Sequence, residues 1–308
     1  MAGWLKRLFG ESSYSDAARA AFPMRQRRVQ CIGVNGLHRM SYVEWGDPDN
    51  PRVLVCVHGL TRNARDFDFL AQALADDYRV VCPDVVGRGD SDWLRVKMDY
   101  AVPLYVSDMV TLLARIGVDS VDWVGTSMGG LIGMALAALP DTPIRKLVLN
   151  DVGPLISGKA LWRIGEYVGR APEFASLAEA EAYLRQVSAS FGPLTDAQWH
   201  HLTMHSVRRS GEKFRMVYDP GIGDAFRLAP SLAVSDVAVW PTYDLVRCPT
   251  LVIRGAESDL LSSETVMEMT QRGPRAQAIT ISGVGHAPML MDDEQIGVVK
   301  RFLLVPSV

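Results

Sequence analysis

The sequence predicts an α/β fold in which a parallel, doubly wound sheet is interrupted by a helical insertion. A continuous apolar run, typical of a strand covered on both faces, lies at 53–57, and further strand-like runs follow at 78–82, 144–149 and 250–254. Segments with helical periodicity lie between these strands, at 67–75, 105–116 and 131–139. From 154 to 240 this alternation stops: apolar residues keep helical spacing and no strong strand run occurs.

The remaining elements follow in chain order. Residues 28–34 and 38–44 pattern as two short strands, and Asn35-Gly36 between them is a hairpin signal. Helical spacing within the excursion is clearest at 176–191 and 195–207, and the chain closes with a helix at 263–271, a strand at 276–281 and a helix at 292–304. We therefore expect an N-terminal extension (1–27), a core (28–153 and 241–308) and a helical cap or lid (154–240) inserted after the sixth strand.

Composition excludes several classes of protein. The 308 residues carry a net charge of −3, with 48% hydrophobic and 22% charged residues, so nothing indicates nucleic-acid binding. The 4 cysteines have no C-x-x-C spacing, which predicts reduced, buried thiols and a cytoplasmic protein without metal or organic cofactor. No apolar run is long enough to cross a bilayer. The amphipathic N-terminal segment 4–9 is expected to pack as a frayed helix, and the oligomeric state is not readable.

The stretch 121–130 is the most informative part of the chain. A β-branched segment leads into Gly125-Thr126-Ser127-Met128-Gly129, and a helix-forming run follows. A strand, a tight turn with an exposed Ser and a helix together are what a nucleophile elbow requires. Ser127 would then lie at a helix N-terminus, where free N–H groups favour developing negative charge. The alternative is a glycine-rich turn with an incidental serine.

A nucleophilic serine needs a base and an orienting acid, and both are expected at strand ends. Among the 6 histidines, His286 is the best base, because it lies in a glycine-rich loop after the last strand. We favour Asp259 as the acid, since it follows the strand 250–254; Glu257 is a weaker competitor. Asp151, after the strand 144–149, would then be a loop-entry or lid-anchoring carboxylate.

The loop His58-Gly59-Leu60 directly follows a buried strand. Gly59 allows a sharp turn that aims backbone N–H groups at the site. The N–H groups of Leu60 and Met128 are therefore the predicted oxyanion hole. His58 is expected to bond loop backbone rather than to act in catalysis.

These motifs resemble, in order and spacing, those of the α/β-hydrolase superfamily, in its lid-bearing serine esterase-like branch. The resemblance covers about 28–304 and includes Asp84-x-x-Gly-Arg-Gly-x-Ser91 besides the segments above. It implies a mostly parallel eight-stranded sheet whose second strand is antiparallel. It also implies Ser127 as nucleophile, His286 as base and Asp259 as acid. A serine at the elbow argues against the epoxide hydrolases and haloalkane dehalogenases, which have aspartate there.

The expected activity is hydrolysis of carboxylic esters with small or medium acyl groups through an acyl-enzyme. Hydroxyacid oligoesters, lactones and xenobiotic esters are candidate small-molecule substrates. Arg62 and Arg65 after the oxyanion loop, and Trp162 in the insertion, are candidate substrate-binding residues. One alternative is a C–C hydrolase of a diketone acid, which would need Arg62 or Arg65 as a carboxylate clamp. Another, from a different class, is a non-catalytic binding protein on the same fold.

Overall fold

The structure is a computed structural model that describes residues 23–228 and 235–305. The amphipathic N-terminal segment at 4–9, predicted to pack as a helix, lies outside the described residues. The first strand begins at Arg25. Residues 25–27, assigned to the N-terminal extension from sequence, are therefore part of the sheet.

The main sheet has eight strands and confirms the predicted mostly parallel arrangement. The strands are β1 (Arg25–Gly33), β2 (Gly36–Trp45), β3 (Val53–Val57), β4 (Arg79–Pro83), β5 (Val121–Thr126), β6 (Ile144–Asn150), β12 (Thr250–Gly255) and β13 (Gln277–Ile281). Their order in the sheet is β1-β2-β4-β3-β5-β6-β12-β13, and only β2 runs antiparallel to its neighbours.

Helices cover both faces of this sheet. Alternate residues of β3 point to opposite sides: Val55 belongs to one apolar core and Cys56 to the other. The Val55 core packs against α2 (Val102–Ile116), α3 (Met128–Ala137), α8 (Trp240–Leu245) and α9 (Ser263–Met269). The Cys56 core packs against α1 (Asp68–Leu74), which follows the 3₁₀ turn Ala64–Phe67, and against α10 (Asp293–Leu304). Burial of both faces explains why β3 has a continuous apolar sequence.

The segment between β6 and β12 contains both helices and short strands. The helices are α4 (Gly158–Tyr167), α5 (Leu177–Val187), α6 (Asp196–Ser206) and α7 (Asp224–Leu228); 3₁₀ turns lie at Ala189–Phe191 and Pro220–Gly223. The strands are β7 (Leu155–Ile156), β8 (Glu173–Phe174), β9 (Val207–Ser210), β10 (Lys213–Met216) and β11 (Val237–Ala238). They form a β8-β10-β9 sheet and a β7–β11 pair. The sequence indicated only the helices of this insertion, because strands of two to four residues are too short to leave a strong apolar run.

No helix in the described ranges, 23–228 and 235–305, combines the length and the hydropathy that a bilayer span requires.

Candidate active site

The carboxyl ends of the central parallel strands bring four loops to one edge of the sheet. Val57 at the end of β3 pairs with Gly125, and Thr126 at the end of β5 pairs with Asn150. Asn150 in turn pairs with Ile253 of β12. The residues that follow these strand ends are therefore neighbours, as expected for a ligand site in an open α/β sheet.

Ser127 lies in a strained turn between β5 and α3. Its φ is 52° and its ψ is −115°, a conformation that residues other than glycine rarely adopt. A Cβ on Gly129 would lie 1.9 Å from the Val57 carbonyl oxygen, and one on Gly125 would lie 2.3 Å from Gly129 backbone. The glycines of the motif are thus required because strand and helix backbones pass in direct contact.

His286 links the serine to a carboxylate. Its Nε2 lies 3.0 Å from Ser127 Oγ, and its Nδ1 lies 2.8 Å from Asp151 Oδ2. An ionised carboxylate only accepts, so Nδ1 carries the proton and Nε2 is free to accept from the serine hydroxyl. The loop is held from the insertion, because the Ser190 hydroxyl donates to the His286 carbonyl and the Ser190 backbone carbonyl accepts from Gly285 N–H.

Asp151 is fully buried at the end of β6. Besides His286, its carboxylate accepts from Gly255 N–H at 2.8 Å and from Ser258 Oγ at 2.6 Å. Its own N–H donates to the Ile253 carbonyl at 2.7 Å, so the backbone is fixed to β12 as well. These contacts hold one carboxylate oxygen against the imidazole.

Asp259 does not contact His286, contrary to the expectation from sequence. Its side chain is 50% exposed and makes a two-point ion pair with Arg163 of α4, at 2.6 and 2.9 Å. The turn after β12 brings Ser258, not Asp259, to the buried carboxylate. Both aspartates follow strands, and no local pattern indicates that the turn points Asp259 outwards.

The predicted oxyanion donors lie beside Ser127. A Cβ on Gly59 would be 3.7 Å from Ser127 Cβ, which shows how closely the loop after β3 approaches the serine. Met128 is the first residue of α3, so its N–H has no partner within the helix. Throughout the described ranges, neither Met128 N–H nor Leu60 N–H has a hydrogen-bond acceptor.

His58 supports the loop after β3, in agreement with its expected structural role. Val85 N–H donates to Nε2 at 3.0 Å, so Nδ1 carries the proton and donates to the Gly59 carbonyl at 2.7 Å. Complete burial lowers the pKa of His58 to about 3. The ring is therefore neutral, which its two backbone bonds require.

Arg88, which the sequence reasoning did not single out, joins the two oxyanion segments. It is fully buried and donates to the Leu60 carbonyl at 2.8 Å and to the Tyr105 hydroxyl at 3.0 Å. Its Nη2 also lies 3.4 Å from the sulfur of Met128. The motif Gly87-Arg88-Gly89 was visible in the sequence, but its pattern does not indicate that the arginine points inwards.

Asp84, the first residue of the same motif, fixes both neighbouring loops. Its carboxylate accepts from Ala64 N–H at 2.8 Å and from Asp90 N–H at 2.9 Å. Burial raises its pKa to about 6 although these N–H groups oppose the shift.

Ser127 and His286 open onto a cleft, partly open to solvent, between the core and the insertion. Most of the insertion residues that line the cleft are apolar or aromatic. They belong to α4, α5 and β10 and to the loops that adjoin α5 and β10: Ile164, Tyr167, Tyr183, Leu184, Val187, Phe191, Met216 and Tyr218.

The structure separates the three predicted substrate-binding residues. Arg62 lines the cleft, but its guanidinium is already bound by Asp66 at 2.6 and 2.9 Å. Arg65 is absent from the lining and pairs with Asp68. Trp162 is 56% exposed and does not line the cleft. The residues of α4 that line the cleft are Arg163, Ile164 and Tyr167. Sequence reasoning missed Arg163, the α4 cation that does line the cleft.

Within residues 23–228 and 235–305, two groups of side chains have donor atoms close enough to hold a metal ion, and neither group lines the cleft. Cys31, His38 and Asp108 are buried between β1, β2 and α2, and burial raises the pKa of the Cys31 thiol to about 12. Asp68, His201 and His205 form the second group, where the Arg65 guanidinium already neutralises the carboxylate.

This fold, with a serine in a strained strand–helix turn and a hydrogen-bonded histidine, defines a class of hydrolases. A match to the alpha/beta hydrolase family extends over residues 54–298. The chain belongs to this family.

Similar proteins narrow the class. The chain is 52% identical over 280 residues to a 3-hydroxybutyrate-oligomer hydrolase of Cupriavidus necator, covering 89% of this chain and 96% of that protein. It is 28% identical to the esterase YbfF of Escherichia coli, over 77% and 87% of the two chains. An alpha/beta hydrolase structure from Novosphingobium aromaticivorans matches with a TM-score of 0.78 and 36% identity, over 91% and 98%. The predicted enzyme class, a hydrolase acting on ester bonds, is confirmed.

Proposed function

We propose that this enzyme hydrolyses short oligoesters of 3-hydroxybutyrate through an acyl-enzyme. Ser127 is the nucleophile, His286 the general base and Asp151 the orienting acid. The observation that carries this proposal is the continuous chain from Asp151 through His286 to Ser127, with contacts of 2.8 and 3.0 Å, at the floor of the cleft. The substrate class is supported by the 52% identity to a 3-hydroxybutyrate-oligomer hydrolase.

In acylation, Ser127 Oγ attacks the ester carbonyl while His286 Nε2 takes the hydroxyl proton. The carbonyl oxygen becomes an oxyanion, which accepts hydrogen bonds from Leu60 N–H and Met128 N–H. As the intermediate collapses, the acyl C–O bond breaks and the imidazolium gives its proton to the leaving alkoxide. The products of this step are a free hydroxy acid and an acyl group on Ser127.

In deacylation, water replaces the serine as nucleophile. His286 takes a proton from the water as it attacks the acyl carbon, and then returns it to Ser127 Oγ. Asp151 stabilises the imidazolium in both halves, and its bonds from Gly255 and Ser258 keep it in place. Arg88 serves as a positioning residue, since it holds the Leu60 carbonyl and contacts Met128.

The segment between β6 and β12 acts as a lid in this proposal. It supplies most of the apolar surface of the cleft, which suits the methyl branch and methylene of each 3-hydroxybutyrate unit. Ser190 ties this segment to the His286 loop. The lid therefore shapes the acyl site and supports the base.

The alternative of a C–C hydrolase acting on a diketone acid has less support. It needs Arg62 or Arg65 free to clamp a carboxylate, and both guanidiniums are bound to aspartates. A non-catalytic binding protein has no use for a histidine held between a buried carboxylate and a strained serine.

The test compares wild type with Ser127→Ala in two assays. A fluorophosphonate probe should label the wild type at Ser127 and leave the variant unlabelled. The wild type should release 3-hydroxybutyrate from its dimer and trimer, and the variant should lose on the order of 10⁴-fold or more in kcat.

In the first assay, labelling at a residue other than Ser127 contradicts the nucleophile assignment. The proposed substrate class is tested against a control panel of p-nitrophenyl esters, a lactone and a diketone acid. Cleavage of p-nitrophenyl esters without cleavage of the oligoesters keeps the mechanism and refutes the substrate class.

A further inference from the structure

The charged residues that line the cleft are not balanced within it. Among the described residues, these are Arg62, Asp66 and Arg163; the lining also contains the imidazoles of His58 and His286. Arg62 and Asp66 neutralise each other inside the lining, with side chains only 12% and 10% exposed. Arg163 differs, because its acidic partner Asp259 is absent from the lining. The cleft thus presents one guanidinium whose counter-charge lies outside it.

The pair between Arg163 and Asp259 is also open to solvent. The two side chains are 40% and 50% exposed, whereas Asp151 is fully buried. Exposed ion pairs are weak, since water screens the charges and both side chains keep freedom in alternative positions. A carboxylate that enters the cleft can therefore compete with Asp259 for the guanidinium, and a planar guanidinium binds a carboxylate at two points.

Arg163 is aimed at the cleft by its helix. Tyr167 lies one turn further along α4 on the same face, and both residues line the cleft with Ile164. Trp162 instead points to solvent, 56% exposed. This face of α4 therefore offers a cation, a phenol hydroxyl and an apolar side chain on the lid side of the cleft, within the same cavity as Ser127.

We propose that Arg163 binds the free terminal carboxylate of a hydroxyacid oligoester, with Asp259 as the internal counter-ion that the substrate replaces. The inference rests on the proposed function. In a dimer this carboxylate belongs to the leaving hydroxy acid. Ser127 Oγ bonds to the acyl carbon, the ester C–O bond breaks, and the leaving alkoxide takes its proton from His286 while its carboxylate stays on Arg163. Asp259 then pairs with Arg163 again as the product departs.

The experiment uses two substrates that differ at the terminal carboxyl group: the 3-hydroxybutyrate dimer, where it is ionised, and its methyl ester, where it is neutral, with cleavage followed at the internal ester. Arg163→Gln should lower kcat/KM for the acid about tenfold, mainly through KM, because it removes a charge-assisted contact made in both ground and transition states. The methyl ester and p-nitrophenyl butyrate should change less than twofold. Asp259→Asn, the matched control, should raise the preference for the acid about threefold by removing the competitor.

Product inhibition gives a second measurement that does not depend on oligoester cleavage. 3-Hydroxybutyrate should inhibit p-nitrophenyl butyrate hydrolysis competitively, and its inhibition constant should rise about tenfold in Arg163→Gln. Equal losses on acid and methyl ester, or an unchanged inhibition constant, overturn the role of Arg163. Failure of the wild type to cleave either oligoester, with normal Ser127-dependent hydrolysis of p-nitrophenyl butyrate, refutes the proposed substrate and leaves the inhibition test to decide on Arg163.

Discussion

Replacing Asp151 by Asn is the sharpest test of the proposed triad. The Gly255 N–H points at Asp151 Oδ1 from 2.8 Å and can only donate, so the amide oxygen of the new side chain must take that position. The amide NH₂ then occupies the place of Oδ2, facing Nδ1 of His286. It donates to Nδ1 and forces the proton onto Nε2. An imidazole in that tautomer cannot accept the proton of Ser127.

The expected loss follows from this tautomer change. In a serine protease triad the same Asp-to-Asn substitution lowers kcat about 10⁴-fold with the geometry intact. Four decades correspond to about 5 kcal/mol of transition-state stabilisation. The same loss is expected here because Asp151 holds His286 in the equivalent way, through Nδ1 at 2.8 Å.

The assay is kcat/KM for p-nitrophenyl butyrate, with thermal unfolding measured alongside to show that the variant folds. Asp259→Asn is the matched control, because the same chemical change at an exposed ion pair should alter turnover of this neutral ester less than twofold. The assignment of Asp151 would be refuted if Asp151→Asn retained a tenth of the wild-type kcat/KM, or if Asp259→Asn lowered kcat/KM about 1,000-fold.

Two further predictions concern the loops around the site. Burial lowers the pKa of folded His58 from 6.5 to about 3, so the unfolded chain binds the extra proton and stability is lost as the pH falls below 6.5. Between pH 7.5 and pH 5 this lowers the free energy of unfolding by about 2 kcal/mol. Denaturant titrations at several pH values should show that His58→Gln lacks this part of the pH dependence, and an equal pH dependence in wild type and variant would contradict the prediction. Arg88→Met should lower kcat about 100-fold with KM unchanged, since small displacements of the oxyanion donors act on the transition state. A KM effect alone, measured with p-nitrophenyl butyrate, would exclude a positioning role for Arg88.

Apolar patterning was sufficient for the strands of the main sheet and for most of the helices that cover it. A strand such as β3 is buried on both faces, and its residues are apolar without interruption. The short strands of the insertion gave no such signal. In β10, Lys213–Met216, exposed charged positions alternate with half-buried apolar ones over only four residues, and pairing with β8 and β9 decides its conformation.

The positions of the serine and the histidine could also be predicted from the sequence. Ser127 between two glycines requires a close strand–helix crossing, and the structure shows it, with Gly129 against the Val57 carbonyl. His286 after the last strand lies beside that serine because the carboxyl ends of parallel strands share one edge.

The carboxylate beside His286 and the ion pair on which the proposed carboxylate subsite rests were decided only by tertiary structure. Asp151 and Asp259 both follow strands of the same sheet, and nothing local distinguishes them. What separates them is long-range: Gly255 and Ser258 satisfy a buried carboxylate at Asp151, while Arg163 from the insertion captures Asp259 at the surface. The sequence alone predicted that Ser127 and His286 meet at the strand ends, and the structure places them 3.0 Å apart. Which acid faces the histidine depends on contacts between residues about a hundred positions apart, and only folding brings these together.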